Sequence, residues 1–349
     1  METISDFVEL GQRIRHVRLV VGVSQDELAA VIGVDRTAVS RIESGGRKVS
    51  AVDLVRIAAR LGVTLADLVT RPDPVALAAR SPLPEDPIGS EQNRGRAELE
   101  LDAAWRDLQQ LRSAGLLGPV DFPYGRPFGS KDEARSLARD VRRHLRLGED
   151  PIGFVSDLAA DLGLWCRTTS LKIDGLSMTP EPGLGVCLIY EGLEPGRRRM
   201  TVAHEIGHHV SGDTYEPPEH YTSPSEAESR IQAFAAELLL PAAVTSSKSR
   251  PSREELITVA TTYRVSWSVV VQTARATGCD LSGIDTEDRP RRDEFLRVVG
   301  AEPQPDMLPP GLPRAWVRAC ARAQAKEIIT PRRAREMSMG LTADEGAVP

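Results

Sequence analysis

The chain has 349 residues, enough for two or three domains, and its hydrophobic (41%) and charged (27%) fractions are typical of a globular protein. The formal net charge of −6 excludes a chain that is basic throughout, so any nucleic-acid binding must be local. The N-terminus lacks a signal peptide's apolar core, and no stretch reaches the ~18 apolar residues of a membrane span, so we expect a cytoplasmic protein without a membrane partner. The four cysteines show no CxxC spacing, so we expect no disulfides.

Residues 10–69 predict a series of short amphipathic helices. Ser24 is a good N-cap and Glu27 follows three residues later, which makes a capping box. Gly33 ends that helix with a tight turn, and Asp35 caps the next one. In this second helix Val39 and Ile42 face inward, which leaves four side chains facing outward: Arg36, Thr37, Ser40 and Arg41.

This run resembles the lambda-repressor-like helix-turn-helix domains. In that family the second motif helix enters the major groove, and its N-terminal part reads base edges. The resemblance implies a double-stranded DNA operator as partner and a homodimer on two half-sites about 34 Å apart. It implies an internal salt bridge between Arg18 and Glu43, and a phosphate anchor at Gln25. The implied DNA contacts are Gln25, Arg36, Thr37, Ser40 and Arg41.

The charge of this region does not by itself indicate DNA binding. Residues 1–71 hold ten basic and nine acidic side chains, which is nearly neutral for a DNA-binding domain. A five-helix module that binds another protein therefore remains an alternative for the same fold.

The next segment predicts a linker. Residues 71–95 contain five prolines and several turn-forming residues. Residues 97–112 have helical periodicity, and 116–130 are irregular.

From residue 131 to 275 the pattern becomes denser. A short apolar run between glycines, at 183–192, predicts a β-strand. The predicted helices cover 131–147, 151–164, 198–210 and 228–240, and a helical pair covers 255–278.

The segment from His204 to His208 has the H-E-x-x-H spacing. On a helix, residues four apart lie on one face, so both imidazoles can reach one ion. Glu205 lies at the same rim, where it can take a proton from a water whose pKa zinc lowers to about 7. Small or apolar neighbours indicate that this helix is buried, and a metal is an economical partner for ionisable groups there.

A catalytic zinc needs a third protein ligand and an open position. Residue 214, where the metzincin pattern requires His, is Thr214. Glu228 is a candidate because it lies three residues before Ile231 and shares its inward face, although a helix dipole also favours Glu at that place. The residues alone leave three competitors open: Glu226, Glu237 and His220.

The run RRRMTVAHEIGHHV, followed by AFAAELLLP, resembles the ImmA/IrrE-type metallopeptidases over residues 131–275. In that family a Glu stands six residues before the FA pair, and an Asn or Asp often stands two before it. The resemblance implies metal ligands His204, His208 and Glu228, zinc or manganese as the metal, and a repressor protein as the substrate. It places Gln232 at the Asn/Asp position, where its side chain can hydrogen-bond a ligand histidine.

The residue that stabilises the oxyanion cannot be read from the sequence. His209, His220 and Tyr221 are candidates, and the place of His209 next to a ligand favours a structural or surface role for it.

The sequence thus predicts a mainly α protein with a small β-sheet, in which a five-helix domain precedes an α+β zincin-like domain. The predicted regions are a helix-turn-helix domain at 6–70, a linker with one helix at 71–130, the metallopeptidase domain at 131–275, and a loop (280–313) plus helical C-terminal segment at 280–349. In the C-terminal segment, Thr330 is a predicted N-cap and Pro331 a first helical residue.

Two functions are compatible with these motifs. The first is a DNA-binding transcriptional regulator with a zinc-dependent endopeptidase, in which Glu205 is catalytic and a partner repressor is cleaved. The alternative is a transcription factor whose metal-holding domain is a non-catalytic sensor or scaffold. An antitoxin-like or phage-derived switch protein is a further hypothesis.

Overall fold

The computed structural model describes residues 3–71, 77–80, 87–118, 120–212, 224–247, 249–301 and 311–341. These residues form two compact units. The first contains the described residues up to 71 together with 87–108 and 171–173. The second contains 77–80, 109–170 and the described residues from 174 onward.

The first unit is helical, and its N-terminal part has the five helices that the sequence predicts. They are α1 (Phe7–Val21), α2 (Gln25–Ile32), α3 (Arg36–Glu43), α4 (Ala51–Leu61) and α5 (Leu65–Val69). Helix α6 follows at Pro87–Ser113.

Local capping defines the two motif helices. The Glu27 N–H donates to Ser24 Oγ at 3.1 Å while the Ser24 N–H donates to the Glu27 carboxylate at 2.7 Å, so the predicted capping box is confirmed. Gly33 ends α2 at φ 70°, a left-handed conformation that glycine adopts without steric cost. Asp35 caps α3 by accepting from the Ala38 N–H at 2.7 Å. Each such cap stabilises its helix by about 1 kcal/mol.

An apolar core holds the five helices together. Its centre is formed by fully buried side chains of α1, α2, α4 and α5, among them Ile14, Val17, Leu28, Ile57 and Leu68. Burial of each such side chain contributes about 1.5–3 kcal/mol, so packing rather than helix propensity holds this unit together.

The second unit combines a small sheet with helices. The strands are β1 (Leu77–Arg80), β2 (Leu164–Thr169), β3 (Gly175–Glu181) and β4 (Leu184–Tyr190). The helices are α7 (Lys131–His144), α8 (Val155–Asp161), α9 (Pro195–Ser211), α10 (Pro224–Leu239), α11 (Ala242–Ser246), α12 (Arg253–Tyr263), α13 (Trp267–Ala276), α14 (Arg292–Val299), α15 (Arg314–Ala325) and α16 (Pro331–Met337). Among the described residues of both units, no helix has the length and apolarity to cross a membrane.

The sheet has the strand order β1-β3-β4-β2. Strand β4 pairs in parallel with β2 and antiparallel with β3, and β1 pairs antiparallel with the outer edge of β3. Two residues join β3 to β4, and the second of them, Gly183, has φ 74°, as a tight hairpin requires. Strand β4 is buried along nearly its whole length, which explains its continuous apolar sequence.

Buried arginines fix the helices around this sheet. Arg142 on α7 donates to the carbonyl of Leu238 at 2.6 Å, near the end of α10, where helical carbonyls lack partners. Arg199 on α9 is fully buried and donates to the carbonyls of Ile152 and Gly153 at 2.9 and 2.7 Å. These backbone oxygens accept hydrogen bonds from the two buried guanidinium groups, and the bonds fix the positions of α7 and α9.

Several elements differ from the prediction. The linker predicted over 71–95 is wrong for residues 87–95, which belong to α6, and residues 77–80 form a strand. The loop predicted over 280–313 is wrong for 292–299, where α14 forms because Phe295, Val298 and Val299 pack against the core. Strands β2 and β3 were not predicted, whereas the predicted strand β4 and the cap at Thr330 are confirmed.

Candidate metal centre and nucleic-acid interface

Helix α9 carries the H-E-x-x-H segment through the interior of the second unit. Pro195 occupies a first-turn position of the helix, where its missing N–H has no helical partner to lose. His204 and Glu205 are each only 1% exposed, and His208 is partly exposed. The expectation of a largely buried helix with two imidazoles on one face is therefore confirmed.

Three side chains from two helices converge at one end of this segment. His204 Nε2 and His208 Nε2 are 3.1 Å apart. The Glu228 carboxylate on α10 reaches both rings, with Oε2 at 3.2 Å from His204 Nε2 and Oε1 at 3.8 Å from His208 Nε2. Among the described residues this is the one group of three His, Cys, Asp or Glu side chains whose ligand atoms all lie within 4.8 Å of one another.

The donor set fits a divalent cation. A tetrahedral zinc with bonds of about 2.0–2.2 Å places its ligand atoms about 3.3–3.6 Å apart, close to the spacings found here. Burial lowers the pKa of His204 below its usual value, which favours the neutral ring that a metal requires. Glu228 has a half-exposed side chain, so one side of the cluster is open, as a catalytic site needs.

The competing ligands are placed elsewhere. Glu237 is buried on α10, pairs with Arg139 at 3.4 Å and is not a member of the cluster. Glu226 is exposed and does not belong to the cluster. His220 and Tyr221 lie outside the described residues.

Glu205 faces strand β3 rather than solvent. Its Oε2 accepts a hydrogen bond from Ser177 Oγ at 2.5 Å, and both residues are buried. The β3 backbone at Gly175 approaches so closely that a Cβ there would lie 2.9 Å from Glu205 Oε1 and 2.8 Å from the Thr201 methyl. Only glycine permits this approach, so Gly175 and Ser177 together fix the carboxylate.

Gly207 allows α9 and α10 to pack closely. A Cβ at this position would lie 3.0 Å from Phe234 and 3.2 Å from Ile231, both on α10. The neighbours are side chains rather than backbone. Since α10 carries Glu228, this contact sets the distance between the third carboxylate and the two imidazoles.

His209 has a structural role, as its position suggested. It is buried, and its Nε2 lies 2.8 Å from the Leu162 carbonyl while its Nδ1 lies 3.0 Å from Thr179 Oγ1. Burial lowers the pKa of His209 to about 4, so the ring is neutral. The network assigns the proton to Nε2, and Nδ1 then accepts from the threonine hydroxyl.

Gln232 is half-buried on α10 and lines a groove with Lys131 and Arg135 of α7. His204 Nδ1 has no hydrogen-bond partner in the described part of the chain, so Gln232 does not support that ring. Its role beside a ligand histidine stays a prediction.

In the first unit, α3 presents the predicted contact residues on its surface. The side chains of Arg36, Thr37, Ser40 and Arg41 are all exposed, while Val39 and Ile42 are buried. The groove between α1, α2 and α3 is lined by Gln25, Arg36 and Ser40 among others. These positions are available to a partner, and contact with DNA stays a prediction.

The predicted ion pair behind this surface is confirmed. Arg18 donates two hydrogen bonds to the Glu43 carboxylate, at 2.6 and 3.2 Å, and both residues are buried. Gln25 Nε2 donates to the same carboxylate at 2.8 Å, and Arg36 Nε donates to Gln25 Oε1 at 3.4 Å. The network ties α1 and α2 to α3, so Gln25 also positions the motif.

Sequence analysis missed Ser177 and Gly175. Both lie on a strand that it did not recognise, because GLSMTPE is short and only half apolar. Gly175 at the start of the strand was the signal in the sequence that could have indicated a close backbone approach.

Two families match the chain. Residues 14–68 match the family described as helix-turn-helix, and residues 164–275 match the IrrE N-terminal-like domain. The first range spans α1 to α5, and the second runs from β2 through nearly all of α13.

Individual relatives match the first range. Control protein C.MunI from a Mycoplasma species is 42% identical over 62 residues, which is 18% of this chain and 84% of that protein. The crystal structure of the restriction-modification controller protein C.AhdI from Aeromonas hydrophila is 39% identical, covers 18% of this chain and 94% of that chain, and has a TM-score of 0.17.

Proposed function

Because the chain belongs to the proteins that join a helix-turn-helix domain to an IrrE N-terminal-like peptidase domain, we propose that it is a DNA-binding transcriptional regulator with a zinc-dependent endopeptidase that cleaves a partner repressor. The observation that carries the proposal is the convergence of His204, His208 and Glu228 beside a buried glutamate on the same helix.

Each side chain has a part in this proposal. His204, His208 and Glu228 hold the ion, which is zinc or, as an alternative, manganese. When bound, such an ion supplies Lewis acidity, which polarises a peptide carbonyl and acidifies water. Glu205 accepts the proton of the attacking water at Oε1 while Ser177 holds Oε2, and it then delivers that proton to the leaving amine.

Metal binding and catalysis are tested separately. We expect the purified protein to contain one equivalent of zinc or manganese, and Glu228→Gln to lower metal affinity at least about tenfold. Glu226→Gln is the matched control, because this glutamate is exposed on the same helix and outside the cluster. Equal metal affinities for the two variants contradict the ligand assignment.

Cleavage is tested on the repressor encoded beside this gene. The zinc-loaded protein should cut it, and Glu205→Gln should retain the metal but lose the cleavage by several orders of magnitude. Equal cleavage by both forms refutes the assignment of Glu205.

The non-catalytic alternative has one observation in its favour, since Glu205 is buried and hydrogen-bonded as a structural residue is. If the metal domain only senses or scaffolds, His204→Ala abolishes regulation while Glu205→Gln leaves it intact. Loss of regulation in both variants supports the endopeptidase, because cleavage needs the metal ligand as well as the base.

The DNA partner is a double-stranded operator with two half-sites, bound by a homodimer. Gln25, Arg36, Thr37, Ser40 and Arg41 contact it. Exposed apolar side chains one helical turn apart on α4, Val52 and Val55, favour self-association of this unit. We expect Arg36→Ala to weaken binding to the operator and to relax the sequence preference at one base position.

A further inference from the structure

The outer edge of the sheet beside Glu205 is taken up by a segment of the chain itself. Strand β1 pairs antiparallel with β3, so that Ala78 lies opposite Ser177 and Arg80 lies opposite Gly175. The other edge of β3 pairs with β4. Within the described residues, β1 is therefore the outermost strand on this side of the sheet.

The two β3 residues opposite β1 are the residues that contact Glu205. Ser177 donates to Glu205 Oε2, and the backbone of Gly175 lies against Glu205 Oε1. Neighbouring strands in a sheet lie about 4.7–4.9 Å apart. The β1 backbone is thus one strand spacing away from the part of β3 that holds the proposed base.

A peptide that is cleaved here must lie extended near Glu205, and an antiparallel strand added to β3 has this position. Strand addition is a common way to bind peptides, because main-chain groups provide the affinity and the sequence requirement is loose. We propose that Leu77–Arg80 occupies the outer edge of β3, along which an extended substrate would lie, and acts as an internal competitor of that substrate. This inference rests on the proposed endopeptidase function.

The sequence of the segment suits a competitor that can be displaced. Strand β1 has four residues, LAAR, and prolines stand nearby at positions 74 and 82. Proline has no N–H, so neither of these positions can donate a ladder bond. A substrate with a longer extended run of small and apolar residues forms more ladder bonds and takes the place of β1.

The test is peptide binding by the full-length protein in EDTA, which prevents hydrolysis. Successive N–H groups of a strand point to opposite sides, so either Ala78 or Ala79 donates to β3. The variant Ala78→Pro/Ala79→Pro therefore removes a ladder bond in either case and leaves every site residue unchanged. The matched control, Ala78→Val/Ala79→Val, retains strand propensity.

The probe is a fluorescein-labelled peptide with the sequence of residues 75–81, VALAARS, and the readout is anisotropy. A tethered strand competes at an effective concentration in the millimolar range, so wild type and the valine control should bind the probe weakly. The proline variant should bind it at least tenfold more tightly. Equal affinities for all three proteins overturn the inference.

Hydrogen exchange shows where the probe binds. In the proline variant the alternate amides of residues 175–178 that face β1 should exchange faster than in wild type and become protected again when the probe is added. Those of 184–190, paired on the far side of β3, should not change. Exchange at 175–178 that does not respond to the proline substitutions also overturns the inference.

Cleavage of the repressor separates this inference from the proposed function. If the zinc-loaded proline variant cuts it several-fold faster than wild type does, both are supported. If no form cuts it but probe binding differs as expected, the endopeptidase function fails and the competition by Leu77–Arg80 stands. If all forms cut it equally and bind the probe equally, the competition fails and the endopeptidase function stands.

Discussion

Ser177 holds the proposed base in place from outside its own helix. Its hydroxyl donates to Glu205 Oε2 at 2.5 Å in a buried setting, and a hydrogen bond to a charged group contributes about 1.5–3 kcal/mol. We therefore expect Ser177→Ala to lower kcat about 10- to 100-fold, with little change in KM. Metal content should stay the same, because Ser177 is not part of the ligand cluster.

Steady-state kinetics and metal analysis of the same preparation check this prediction. Ser156→Ala is the matched control, since Ser156 is equally buried but lies on α8. A parallel loss of metal and kcat in Ser177→Ala would indicate a structural role instead.

Individual site residues could be predicted from the sequence where they lie on the same helix. The four-residue spacing of His204 and His208 follows from helix geometry alone. Glu228 needed the family pattern, because a glutamate in a first turn is also favoured by the helix dipole. Ser177 and Gly175 were out of reach, since their contact with Glu205 depends on a sheet that only the folded chain assembles.

The packing of α9 against α10 sets the geometry of the metal cluster. A methyl group at Gly207 would meet Phe234 at 3.0 Å and Ile231 at 3.2 Å, and both are fully buried. Overpacking of a core typically costs about 1–3 kcal/mol. We expect Gly207→Ala to move α10 outward and to lower zinc affinity, although helix propensity alone favours alanine by about 1 kcal/mol.

Zinc titration against a competing chelator measures this effect. Gly153→Ala is the control, because a Cβ at Gly153 meets no atom within 4 Å. An unchanged zinc affinity in Gly207→Ala would show that the helix contact does not control the cluster.

Helices α12 and α14 are joined by an ion pair that should make their contact sensitive to acid. Arg253 donates two hydrogen bonds to the Glu294 carboxylate, at 2.9 and 3.1 Å, and these bonds lower the pKa of Glu294 to about 2. In the unfolded chain the pKa of Glu294 has its ordinary value of 4.5. The pair therefore stabilises the fold fully above pH 4.5, and this contribution disappears as the pH falls towards 2.

Denaturant unfolding of Glu294→Gln at several pH values tests this sign. The variant should be less stable than wild type at pH 7, and the difference should shrink steadily below pH 4.5. Glu287→Gln is the control, because Glu287 is exposed, and it should leave the free energy of unfolding unchanged. A difference that grows towards low pH contradicts the assignment.

Elements were predictable where one periodicity dominates. Helices α9, α10, α12 and α13 and strand β4 follow from long amphipathic or continuous apolar runs. Helix α14 was hidden among Asp, Arg and Pro residues, and its formation depends on the packing of Phe295, Val298 and Val299. The start of α6 was missed because prolines and glycines suggested a linker, although Pro87 is tolerated in the first turn of a helix.

In the described part of the chain, two hydrophobic cores share no residue. One is built from side chains between Ile14 and Leu99, and the other from side chains between Phe122 and Ala274. All three candidate metal ligands lie in the unit of the second core, and the buried Arg18–Glu43 pair lies in the first. Metal binding and the ion pair should therefore stabilise different cooperative units.

Calorimetry of the full-length protein tests this independence. Zinc binds only the folded form of its site, so a hundredfold excess over Kd should add about 2.7 kcal/mol to that unit and raise one unfolding transition. Glu43→Gln breaks a buried ion pair, which typically costs about 3–5 kcal/mol, and should lower the other transition by more than about 10 °C. The zinc-dependent shift should be the same in this variant as in wild type. A single transition that responds to both changes would mean that the two units unfold together, and loss of the metal would then also weaken DNA binding.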